Sequence, residues 1–255
     1  MPKPTYELLQ LTDPHYLEDP AGLLKGVHTR STFRRVLAAA LAETPRPDAI
    51  LLTGDVTQDG SREGYLAIRD DLGRAGVPVW SIPGNHDDPA IMAEILGEPP
   101  FEYCRPQRLG DWLLAMVDTW DGDRGGGRVG GAGLEALDWQ LGASDAPHAI
   151  VCMHHQPTPM RSGWLDTVGL DDGPELMDLV ARHPQVRGLV WGHVHQALDE
   201  QRGGLTLMST PSTCFQFVPR RDDFAIDDVP PGYRRIRLHP DGRIETRVRR
   251  VAPAA

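Results

Sequence analysis

The chain has 255 residues, 40% of them hydrophobic and 24% charged, which fits a globular fold with a sizeable core and excludes disordered and collagen-like classes. Its formal charge of -10 argues against general binding to nucleic acid or to an anionic membrane, since both normally need a basic face. No apolar run approaches the length of a membrane span and the opening segment holds no signal-peptide core, so a cytoplasmic protein is expected.

In chain order, short apolar runs at 7–11, 49–52, 77–82, 112–117, 149–153 and 188–191 read as buried strands. Helical patterns lie between them. The clearest helix follows Ser31, where Phe33, Val36, Leu37, Ala40 and Leu41 form one apolar stripe. Others are predicted over 62–75 before Gly76, 89–96 before Gly97, 134–141 and 174–182. The order is that of an α/β fold. The glycine-rich stretch 122–133 reads as a surface loop, because it does not join a strand to a helix in a phosphate-binding pattern.

From about Gly203 the pattern turns to strands, with 233–239 and 243–251 alternating around Pro240-Asp241-Gly242 as a hairpin. The intervening stretch 215–232 reads as a long loop, in which Arg220 and Arg221 are taken as solvated. One domain over 1–255 is expected, with a strand-rich C-terminal part. Cys104, Cys152 and Cys214 are far apart and form no CxxC pair, so they read as small buried hydrophobes and not as a disulfide framework or a zinc site.

The strand ends carry Asp13-Pro14-His15, Gly54-Asp55, Gly84-Asn85-His86-Asp87, His154-His155 and Gly192-His193-Val194-His195. Carboxylate, imidazole and amide oxygen make a mixed N/O set suited to Mn, Fe, Zn or Co. An extended backbone would point residues i and i+2 to one side, which predicts that Asp13 with His15, and His193 with His195, face one cavity. Pro14 is expected to hold Asp13 extended. Taken singly most of these features are weak, since Gly-Asp is common turn chemistry and a lone histidine is commonly a satisfied core residue. Gly-His-x-His is stronger, because two imidazoles on one side of a strand end are costly to bury without partners. Their recurrence after successive apolar runs is what points to a metal centre.

In that order the motifs resemble those of the calcineurin-like metallophosphoesterase superfamily: D-x-H, GD, GNH[DE], H and GHxH. The resemblance implies two packed mixed β-sheets flanked by helices. It further implies that Asp13, His15 and His195 bind one metal, that Asn85, His154 and His193 bind another, and that Asp55 bridges them, with His86 as the catalytic donor. Trp164-Leu165-Asp166 with Gly169-Leu170, Trp191 to Gln196, Ser209 to Cys214 and Pro231-Gly232-Tyr233-Arg234 narrow the resemblance to bacterial class III 3′,5′-cyclic AMP phosphodiesterases. Two departures stand out. His155-Gln156-Pro157 replaces a common His-Pro-Pro, and Gln58 occupies a position where some relatives carry an aspartate that orients the catalytic histidine.

The expected reaction is in-line attack on phosphorus by a hydroxide held between two metal ions, opening cyclic AMP to 5′-AMP. Other diesters such as glycerophosphodiesters, monoesters and pyrophosphates remain as alternatives, because metals recognise the phosphate and not its substituents. A protein-binding scaffold without catalysis is the reading from another class, but such a chain should have lost ligands, and here all seven positions are filled. The oligomeric state stays open, a homodimer included.

Overall fold

The computed structural model describes residues 3–122 and 124–252, so position 123 of the glycine-rich stretch lies outside the described residues. The first half runs β1 (Tyr6–Leu11), α1 (Thr29–Leu41), β2 (Ala49–Thr53), α2 (Arg62–Gly73), β3 (Val79–Ile82), α3 (Pro89–Leu96) and β4 (Phe101–Tyr103). The second begins with β5 (Gln107–Leu109) and β6 (Trp112–Met116), followed by α4 (Gly130–Ala143), β7 (His148–Cys152), α5 (Gly163–Asp166), α6 (Gly173–Ala181) and β8 (Val186–Trp191). It closes with β9 (Leu198–Arg202), β10 (Leu205–Ser209), β11 (Gln216–Phe217), β12 (Ile226–Asp227), β13 (Gly232–Leu238) and β14 (Ile244–Arg250).

These strands build two mixed six-stranded sheets, ordered β14-β13-β1-β2-β3-β4 and β5-β6-β7-β8-β10-β9. β1, β2, β3 and β4 are parallel, as are β6, β7, β8 and β10, while β13 and β14 in the first sheet and β5 and β9 in the second run antiparallel to their neighbours. The apolar runs alternate their side chains between two buried layers, which is why they read as continuous hydrophobic stretches. Leu8, Leu51, Leu114, Ile150 and Val190 face the core between the sheets. Leu9, Ile50 and Leu52 instead meet Phe33 and Leu72 of the first helical layer, and Ala149, Val151 and Leu189 meet Leu137 and Leu179 of the second.

Four layers result, as the resemblance implied. The C-terminal strands are not a separate appendage, since β13 pairs with β1 and β10 with β8, so the final segment completes both sheets. Buried Arg234 joins them: its guanidinium donates to the Asp199 carboxylate, the Thr246 hydroxyl and the Ser209 carbonyl.

Two expectations need correction. Part of the glycine-rich stretch is helical, because α4 starts at Gly130, where the Asp172 carboxylate accepts from the Val129 and Gly130 amides at 3.0 and 2.7 Å. The segment 215–232, expected as a plain loop, contains the β11–β12 pair, with Gln216 opposite Asp227.

Candidate metal centre

The eight candidate residues follow the C-terminal ends of five parallel strands. Asp13 and His15 follow β1, Asp55 follows β2, Asn85 and His86 follow β3, His154 follows β7, and His193 with His195 follow β8. Ligands in open α/β sheets bind at that edge, where the turns leave the sheet together. The local backbone is not the extended one expected. Asp13, His15, Asp55, His193 and His195 have φ values of 52°, 48°, 48°, 63° and 46°. Side chains there face one cavity because each turn curls into the left-handed region, a conformation that is costly for non-glycine residues and concentrates at functional sites.

Backbone hydrogen bonds hold these turns in place. The Asp13 amide donates to the Gly54 carbonyl at 3.1 Å and the His15 amide to the Asp55 carbonyl at 2.9 Å. Thus Pro14 restricts its neighbour without making it extended, since pairing between the two turns decides the geometry. Gly54 and Gly84 are required by space: a Cβ on either would collide with the His154 ring, and on Gly84 also with the Asp55 backbone.

Seven of the eight side chains converge in the interior or just below the surface, and His86 alone among them is exposed. Asp13, His15, Asp55, His154 and His195 are all at most 3% exposed. The Nδ1–H of His154 donates to the Thr53 carbonyl at 2.7 Å, and that of His195 to the Phe215 carbonyl at 2.8 Å. Each ring therefore turns the Nε2 lone pair inward, the arrangement that backbone carbonyls impose on metal-binding imidazoles. Inside, His154 Nε2 lies 3.4 Å from an Asp55 oxygen and 3.3 Å from Asn85 Oδ1. His195 Nε2 lies 3.4 Å from an Asp13 oxygen and 3.2 Å from His15 Nε2.

Acceptors facing acceptors need a proton or a cation between them. The charge pattern makes the same demand. Burial would raise Asp13, but the charge of His195 and its hydrogen bond hold the carboxyl below its usual range. Burial likewise opposes ionisation of Asp55, yet the charge of His154 and its hydrogen bond keep the carboxyl well below normal. Desolvation pushes His15 and His193 down to about 3, so both are neutral near pH 7. His154 goes the other way, raised to about 9 because the Asp55 charge outweighs its burial. In the metal-free protein its proton supplies the positive charge that the two buried carboxylates require.

A divalent cation fits these residues better than that single proton. Among the described residues, His193 Nε2 and His15 Nδ1 are buried without a hydrogen-bond partner. Asp13, Asp55 and His154 offer ligand atoms within 4.8 Å of one another, as do His15, Asp55 and His86. The donor set is borderline in softness and suits first-row transition metals.

Several neighbours surround the centre, of which Thr12 alone had no signal in the sequence, while Gln58, Gln156 and the 209–214 segment were marked there without a contact to the site. Gln58 Nε2 lies 2.9 Å from His86 Nδ1 and so takes the place of the aspartate seen in some relatives. Thr12 donates to Asp13 Oδ2 at 2.6 Å, and Ser212 donates to the Asp13 carbonyl at 2.8 Å, which ties the 209–214 segment beneath the site. Cys214, read as a small buried hydrophobe, is buried, and burial raises its thiol to about 12, but it also stands within 4.8 Å of nitrogens of His15 and His195. Gln156, the departure from His-Pro-Pro, holds the loop around α5 by donating to the Leu165 carbonyl at 2.9 Å.

Comparison with known proteins follows the same lines. Residues 6–197 match the family described as calcineurin-like phosphoesterase. The chain belongs to that family. Among the calcineurin-like phosphoesterases it is 37% identical, over 99% of its length and 92% of the other protein, to the 3′,5′-cyclic adenosine monophosphate phosphodiesterase CpdA of Haemophilus influenzae. It is 38% identical to the CpdA of Pseudomonas aeruginosa, over 96% of this chain and 89% of that one. In fold it is similar to a dimetal phosphatase from Danio rerio, with a TM-score of 0.65 at 14% identity, covering 96% of this chain and 99% of that one. Calcineurin-like phosphoesterases use a binuclear metal centre, and the Asp and His groups here are positioned for metal binding. Among the described residues no helix is long and apolar enough to cross a membrane.

Proposed function

We propose that this chain hydrolyses 3′,5′-cyclic AMP to 5′-AMP. The observation that carries the reading is a near full-length likeness to cyclic AMP phosphodiesterases in a chain that retains every candidate ligand. Asp13, His15 and His195 would hold one ion and Asn85, His154 and His193 the other, with Asp55 between them; iron, manganese, zinc and cobalt all suit the set. Bound there, two such ions would neutralise the phosphate oxygens and acidify the attacking water. They would also reverse the local sign in an acidic protein, so that a phosphodiester anion is attracted.

The chain's own residues orient and protonate. The Gln58 side-chain amide lies 2.9 Å from His86 Nδ1 and so leaves Nε2 as the ring nitrogen available to carry a proton to substrate. His86 stands at the cleft surface, and its amide is anchored to Asp55 Oδ1 at 2.9 Å. In this reading His86 would give a proton from Nε2 to O3′ as the P–O3′ bond breaks, or hold developing charge on the phosphoryl group. Residues 1–255 are taken as one domain, a reading supported by the way β13 and β10 complete the two sheets, and the chain is taken to act in the cytoplasm.

The test is turnover of cyclic AMP by purified, metal-loaded protein, with products resolved by chromatography beside glycerophosphodiesters and nucleoside monophosphates. 5′-AMP is the expected product. Turnover of generic diesters with no 5′-AMP, even at millimolar cyclic AMP, would leave the family membership standing and remove the substrate.

A further inference from the structure

A row of aromatic rings leads from the histidine cluster to the surface. Phe217 stacks on His195, with centroids 4.2 Å apart and 12° between planes. Phe217 then meets Trp164 at 5.0 Å and Phe224 at 5.3 Å, and Trp164 meets Phe224 at 5.1 Å, all in edge-to-face contact. These three rings line a cavity of about 420 Å³ that also reaches His15, Asp55, His193 and His195. That volume is in the range of small-molecule sites. Phe224 remains 48% exposed at the outer end of the row, with Lys25 Nζ 5.7 Å from its ring centroid.

The composition of this cavity is divided. Its inner end carries the groups that would face a phosphate, and its outer end carries flat apolar surface. A nucleotide has the same division, with an anionic phosphate at one end and a planar base at the other. Resting on the cyclic AMP reading, we propose that the Trp164–Phe217–Phe224 wall is the nucleobase subsite, where the base stacks against Phe224 while Trp164 and Phe217 back that ring. Edge-to-face packing on two sides fixes the orientation of Phe224, so little side-chain freedom is lost when a base covers it.

A second cavity, of about 740 Å³, shares Gln58, Asn85, His86 and Gly125 with the first. It contains Trp120 among Asp59, Asp88 and Arg124. One ring amid charged groups offers less stacking surface than the triple wall, so the base is assigned to the smaller, aromatic cavity.

The deciding experiment compares 5′-AMP with ribose 5-phosphate by calorimetry on metal-loaded protein, because the two share phosphate and sugar and differ in the base. Wild-type protein should bind 5′-AMP about 10- to 100-fold more tightly, the usual worth of one stacked base. Phe224→Ala should remove most of that preference and leave ribose 5-phosphate affinity unchanged, whereas Phe224→Tyr should keep it. Trp120→Ala should also keep it. Equal affinities in the wild type, a preference that survives Phe224→Ala, or one lost in Trp120→Ala instead would each overturn the assignment. Release of 5′-AMP from cyclic AMP is scored separately: its absence counts against the proposed reaction, and the paired-ligand comparison still decides the subsite.

Discussion

Asn85 and His86 are neighbours in one turn, yet their surroundings differ, and the proposed roles differ with them. Asn85 is half-buried with its amide oxygen 3.3 Å from His154 Nε2, while His86 is exposed in the cleft and held by Gln58. Asn85→Ala should therefore lose activity that excess metal partly restores. His86→Ala should keep its metal and fold but lose roughly 10²- to 10⁴-fold in kcat, the worth of one general acid or one preorganised donor. A nitrophenyl leaving group should shrink that loss if proton donation is the role. Metal content measured beside rate decides the matter, since loss of both together in His86→Ala would make it a ligand or a prop. The pair was legible from Gly-Asn-His-Asp after an apolar run. The resemblance marked the position of Gln58 but left open whether it reaches His86, because two turns from different strands meet there only in the folded sheet.

At the scale of elements, buried strands of four to six residues fix where the chemistry stands, and their continuous apolar runs made them easy to read. Short edge strands such as β4, β5 and β11 carried too few residues to show a period. The aromatic wall was hidden for a related reason: Trp164 comes from α5, whereas Phe217 and Phe224 come from the β11–β12 region, and no repeat in the sequence connects them. The left-handed turns were also invisible, since Asp and His do not announce a positive φ as glycine does. What holds those turns is close packing, and this can be tested at Gly84. A methyl there would strike the Asp55 backbone and sit 2.7 Å from His154 Cε1. Gly84→Ala should destabilise the protein by about 1–3 kcal/mol, as overpacking in a rigid core does. Gly142, exposed in α4 with open space around it, is the control, and Gly142→Ala should be neutral or stabilising by up to about 1 kcal/mol. Urea unfolding of the two variants gives the comparison, and equal midpoints would show that the turn has room to adjust.

For the whole molecule, the governing quantity is charge at the meeting point of the two sheets. Asp55 receives the His86 amide from the first sheet and approaches His154 of the second at 3.4 Å, so its loss should be felt on both sides. Elemental analysis of Asp55→Ala should show depletion of both ions; loss of one alone would mean that its carboxylate does not bridge. Without metal, His154 carries the compensating charge, and its folded pKa of about 9 lies above the ordinary 6.5. A raised folded value means stability that is fully present below about pH 6.5 and lost as pH rises through about 9. His15 and His193, lowered to about 3, act in the opposite sense, with stability present above about 6.5 and lost on acidification.

Metal ligation requires neutral imidazole, so loading the centre at pH 7 must displace the His154 proton. Metal affinity should then rise about tenfold per pH unit until about pH 9, with no such contribution from His15 or His193, which are already neutral. Calorimetric titrations in two buffers of different ionisation enthalpy count the protons released. His154→Asn should release about one proton fewer per chain than the wild type, a difference that sets the histidine apart from any proton lost by bound water. Equal release from both proteins would mean that His154 is neutral before metal arrives, and that the positive charge between Asp13 and Asp55 comes from another group.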